Sequence, residues 1–201
     1  MTPKELAEKI FQNHKATLLT DSPDLFSISW KNPESRNYYI KYILDKTMGT
    51  LIIQGDCGYA VATWQSPKKP QAISNLINDI PYFASKLKCS TDKYQYDEDE
   101  TRSDLKEAFR EIKENIYAES QKEKQEEFEE DFSEICQMII QCQPDNLKYP
   151  DELYELLDKY DESWWENPLI NHAGRRLDER VYLWAYGFRM ALKQLEDQQT
   201  A

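Results

Sequence analysis

Glycine is scarce, with five in 201 residues. Little material is left for phosphate-cradling loops, and neither G-x-x-x-x-G-K-S/T nor G-x-G-x-x-G occurs. Histidine is scarcer still. His14 and His172 lack metal-ligand spacing, and each reads as a helix-end or surface histidine. Neither the G-x-S-x-G elbow nor H-E-x-x-H is present. The four cysteines, Cys57, Cys89, Cys136 and Cys142, form no C-x-x-C pair, so four reduced thiols set among apolar residues are expected. Cys136 and Cys142 read as core thiols. No apolar run is long enough to span a bilayer, and the N-terminal stretch has no signal-peptide h-region. Basic residues do not cluster: Lys68-Lys69 and Arg175-Arg176 are isolated pairs, too small for a nucleic-acid footprint. Catalytic residues, cofactors and metals are therefore not expected.

What is present is acid and aromatic. The net charge is -12, which disfavours nucleic acid and anionic membranes and favours a basic macromolecular partner. Aromatics make up 12% of the chain, with thirteen Tyr and five Trp; any left exposed would suit a protein interface. A soluble folded protein is expected.

Periodicity predicts an α+β protein with a small antiparallel sheet over about residues 16–64, packed with a mainly helical C-terminal region. Thr2-Pro3 opens an amphipathic helix that ends near Asn13-His14. Phe26, Ile28 and Trp30 then alternate with serines, the mark of a half-buried strand. Further strands follow at 38–44, 50–54 and 59–64, and Leu18-Leu19 suit one more. Short connections favour a meander. Two short helices, 70–77 and 81–88, precede a loop at 89–96. A helical region covers about 98–143, ending at Pro144. Its stripes, Leu105, Phe109, Ile112, Ile116 and Phe128, Phe132, Ile135, Ile139, lie about a third of a turn out of phase, which favours a bend or hairpin. A helix at 150–160, exiting through Trp164-Trp165, and a buried final helix at 177–196 complete the chain. The expected division is an α+β domain, 1–96, and a helical region, 97–201.

Charge is concentrated. Residues 97–134 hold sixteen acidic and six basic side chains, a net of -10 of the total -12. One cluster, Asp97, Glu98, Asp99 and Glu100, stands at a helix N-terminus, where acids favour the macrodipole. The other, Glu126, Glu127, Glu129, Glu130 and Asp131, preceded by Glu123, repels itself mid-helix. The plain reading is a solvated face. The functional reading makes these ten residues a partner-binding surface, a row of carboxylates that imitates DNA phosphates in a basic groove. Gly55-Asp56-Cys57-Gly58 is the best enzyme-like fragment. Its glycines suit a tight turn better than a reactive site.

The order W-K-N-P at Trp30, the Tyr-rich strand after it, G-D-C-G-Y-A at Gly55 and Y-F-A-S-K at Tyr82 resembles a widespread group of small bacteriophage and prophage proteins. In that group W-x-N-P, G-D-x-G-x-A and Y-F-x-x-K segments recur. The likeness covers about residues 25–90, with a looser match in the closing helix. It implies a mobile-element protein acting in the bacterial host cytoplasm and brings no catalytic residue. Small acidic proteins in that setting are often inhibitors of host defence, anti-CRISPR proteins among them. The expected function is non-enzymatic inhibition of a basic host nucleic-acid-handling protein, such as a CRISPR effector nuclease, by protein–protein binding. The rival readings are a phage structural or assembly adaptor, dimerising through aromatic surface, and a small enzyme of unrecognised type.

Overall fold

The computed structural model describes residues 1–35, 37–118, 122–142, 150–159 and 167–200. In chain order the helices are α1 (Pro3–Phe11), α2 (Pro70–Leu76), α3 (Ile80–Lys86), α4 (Glu98–Ala118), α5 (Lys122–Cys142), α6 (Asp151–Asp158), α7 (Pro168–Asn171) and α8 (Glu179–Thr200). The strands are β1 (Lys15–Asp21), β2 (Leu25–Lys31), β3 (Ile40–Asp45), β4 (Thr50–Gly55), β5 (Gly58–Thr63), β6 (Leu87–Ser90), β7 (Tyr94–Tyr96) and β8 (Arg175–Leu177). The fold is α+β, as the periodicities predict, and the helix predicted at the start carries a capping box between Thr2 and Glu5. The chain forms two compact units, Met1–Lys93 with Leu177–Ala201, and Tyr94–Arg176.

In the first unit β1 to β6 pair antiparallel in sequence order. The expected sheet over 16–64 holds and gains β6, because α2 and α3 return the chain to the edge of β5. Alternation puts one residue in two on a common face. Ile28, Tyr42, Ile53 and Ala60 stand in one cross-strand row, and Phe26, Leu44, Leu51, Ala62 and Leu87 in the next. All are buried, and α8 lies over β1, β2 and β3 on that side. Gly187 permits the close approach: a Cβ there would stand 2.5 Å from Tyr42 Oη and 3.2 Å from Phe11 Cε2. Tyr42 Oη donates to the Trp184 carbonyl at 3.0 Å, and Trp184 Nε1 donates to the Cys57 carbonyl at 3.1 Å. Edge strand β1 is tended by Gln194, which accepts from the Ala16 N–H at 2.7 Å and donates to the His14 carbonyl.

Two sequence expectations need correction. The closing helix is expected with 97–201, yet α8 belongs to the first unit, because nine of its residues are buried and the sheet supplies the apolar face they need. Residues 89–96, expected as a loop, contain the end of β6 and all of β7, which pairs with β8. Strands of three or four residues are too short to display a period of two.

In the second unit the region expected over 98–143 is two helices. Phe109 of α4 meets Phe128 and Phe132 of α5, each at 5.7 Å between ring centroids. In one straight helix Phe109 and Phe132 would stand about 35 Å apart, so the chain reverses, as the stripe phase predicts. Leu105, Ile135, Ile139, Leu153, Leu157 and Ile170 complete this core. Ile112 and Ile116, as side chains, and Glu119, Pro144, Trp164 and Trp165 lie outside what is described.

Candidate functional site

The first acidic cluster is built into its own unit. Asp97 precedes α4, its carboxylate accepting from the Glu100 N–H at 2.9 Å, which is N-capping. Its carbonyl accepts from Thr101 Oγ1 at 2.7 Å, and its N–H donates to the Gly174 carbonyl at 3.1 Å. Gly174 has φ +66°, and a Cβ there would lie 1.9 Å from Thr101 Oγ1. Asp104 accepts from the Gly174 N–H at 2.8 Å and pairs with Arg176, which also pairs with Glu100 at 2.5 Å. Those two carboxylates raise the Arg176 pKa above its ordinary value, Glu100 most of all. Glu98 pairs with Arg102 at 3.0 Å. Of the four, Asp97 and Asp99 form no ion pair among the described residues, Asp97 being held by its capping bond instead, and all four are exposed.

The second cluster lies on α5. Glu126, Glu127, Glu129 and Glu130 are exposed and Asp131 is half-buried; the side chain of Glu123 lies outside what is described. Lys159, just past α6, bridges Glu127 at 2.5 Å and Asp131 at 3.0 Å. Glu134 lies outside the ten residues expected from sequence. It is exposed four residues beyond Glu130, itself four beyond Glu126. Successive members of this row rise about 6 Å along the helix. Glu126, Glu130 and Glu134 form no ion pair among the described residues. The candidate surface thus narrows from ten carboxylates to a row on one helix, with Asp99 apart from it. Spacing at i and i+4 could have found Glu134. The counter-ions Lys159 and Arg176 lie too far along the chain for any local pattern to reveal.

The enzyme-like turn is a two-residue hairpin connection between β4 and β5. Asp56 bonds the segment that leads into β3: its N–H donates to the Tyr39 carbonyl at 2.9 Å, and its carboxylate accepts from the Tyr39 N–H at 3.1 Å. Cys57 is buried, and burial, with Asp56 nearby, pushes its thiol up to about 11, the wrong direction for a nucleophile. Cys136 is buried as expected, but Cys142 is half-buried and Cys89 exposed, so the apolar setting expected for all four holds in part. His14 is not a surface histidine. It is 3% exposed, packed between Phe11 and Trp30. His172 is exposed, its Nδ1 3.0 Å from Arg175 Nη1. Among the described residues, no group of three or more His, Cys, Asp or Glu is placed to hold a metal, and no helix is long and apolar enough to cross a membrane.

No protein-family model, curated protein or solved structure matches the chain.

Proposed function

We propose that this is a non-enzymatic interaction protein that docks the α5 carboxylate row on a basic surface of a host nucleic-acid-handling protein. A CRISPR effector nuclease is the leading case, and a phage-encoded inhibitor working in the bacterial host cytoplasm the setting. The observation that carries the reading is the exposed row Glu126, Glu130 and Glu134, which has no counter-ion among the described residues. Like charges at i and i+4 weaken a helix by a few tenths of a kcal/mol per pair, and a basic groove would offset that repulsion. The ordered charge would speed encounter and make binding salt-dependent.

Reversing Glu126, Glu130 and Glu134 to Lys tests this. The variant is expected to be at least as stable as wild type and to bind the effector with a several-fold lower association rate at low salt. Equal rates for both proteins, each confirmed folded, would refute the reading.

A second reading, self-association in a phage assembly, is favoured by the sheet face turned away from α8. There Tyr59 is 59% exposed and Ile52 37%. A concentration-independent monomer in sedimentation would exclude it.

A further inference from the structure

We propose that the groove between α1 and α8 binds a planar heteroaromatic ligand carrying an anionic group, a nucleotide in chemical class. This is independent of the acidic helix. The groove lies in the first unit, is open to solvent and offers about 800 Å³, room enough for a small molecule. Phe11, His14, Trp30 and Tyr186 line it.

Two of these rings carry a buried nitrogen without a hydrogen-bond partner among the described residues, His14 Nδ1 and Trp30 Nε1. Their chemistry is complementary. His14 Nε2 lies 3.1 Å from the Tyr38 carbonyl, which can only accept, so Nε2 carries the hydrogen. Nδ1 of the neutral ring is then an acceptor, while the indole N–H is a donor. Leaving such groups unmet is unfavourable, since each keeps its desolvation penalty uncompensated. A ligand edge with an acceptor beside a donor would satisfy both, and every nucleobase has one. Each nitrogen has under 1 Å² of exposed surface, so engaging them requires a local shift of side chains at the groove floor.

The rim supplies the second half of the recognition. Arg189 and Lys193 stand one turn apart on α8 and form no ion pair among the described residues. The rim acids are differently engaged: Glu8 faces Lys4 at 3.8 Å, and Glu196 accepts from Gln71 at 3.3 Å. Asp197 also lines the groove, so the site favours a singly or doubly charged phosphate over a longer polyanion.

The test is a titration of the full chain with AMP, CMP, GMP and UMP, following the NMR signal of the Trp30 indole N–H, assigned with Trp30→Phe. A saturable shift is expected with at least one of them. Arg189→Ala with Lys193→Ala should weaken that nucleotide about tenfold, or ~1.4 kcal/mol, and leave the matching nucleoside unchanged. No movement of the signal up to about 10 mM of any nucleotide, a free energy weaker than ~3 kcal/mol, would overturn the proposal. That null result is also what one trapped water bridging the two nitrogens would give. Equal weakening of nucleotide and nucleoside in the double variant would overturn the anionic half.

Discussion

Of the two histidines, His14 is the one enclosed by rings, and its titration has a predictable sign. Burial lowers its pKa from the ordinary 6.5, and the hydrogen bond to Tyr38 opposes this only in part. The folded state therefore holds the neutral ring more firmly than the unfolded chain does. The stability this confers is fully present above 6.5 and is lost as pH falls through the folded value. A fall in denaturation midpoint between about pH 7 and pH 5 is expected. His14→Gln should flatten that slope, whatever its effect on the midpoint itself. A slope unchanged in the variant would assign the acid sensitivity to other groups. At the same scale, carboxylates are easy to see in a sequence and their partners are not. Glu100 looks as free as Glu126 until Arg176, far along the chain, is found beside it.

Elements were legible where their burial repeats. β2 shows its alternation because Phe26, Ile28 and Trp30 face one way, although neighbouring strands bury Ser27 and Ser29 as well. α8 shows its face because its buried residues, Val181 to Leu195, recur along about four turns. β6, β7 and β8 were hidden, having too few residues to repeat, and only their pairing partners make them strands. The seat of α8 on the sheet was equally illegible, since Gly187 reads from sequence as a weak point in a helix. Its neighbours give it a purpose. Gly187→Ala would gain about 1 kcal/mol of helix propensity, yet it would force a methyl against Tyr42 Oη. A net loss of about 1–3 kcal/mol is expected, typical of overpacking. Tyr42→Phe should cost about 1 kcal/mol by losing the bond to the Trp184 carbonyl. Because it also removes the clashing oxygen, the double variant should be more stable than the sum of the single losses implies. Additive losses in chemical denaturation would show that Gly187 is not there for the hydroxyl.

For the whole molecule, the decisive arrangement is that one unit is inserted within the other. The insertion points are close: the Asp178 N–H donates to the Lys93 carbonyl at 3.0 Å, and both residues belong to the first unit. Each unit also has a buried core of its own. Replacing residues 94–176 by a short Gly-Ser linker should leave a folded, cooperatively melting first unit, read by dispersed NMR signals and a single thermal transition. A collapsed or aggregated product would mean that the sheet depends on the insert. If the shortened chain folds, it separates the two proposals, keeping nucleotide binding and losing the salt-sensitive partner. The same insertion orders events on the ribosome. Every strand of the six-stranded sheet is translated before any residue of α8, the helix that seals it. At about 5–20 residues per second, residues 94–176 take roughly 4–17 s to synthesise. Through that interval the rings of Trp30, Tyr42 and Phe83 have no helix α8 over them. The inserted unit can close first, and the unit that brackets it must wait, a nascent client for whatever shields apolar surface in the cell.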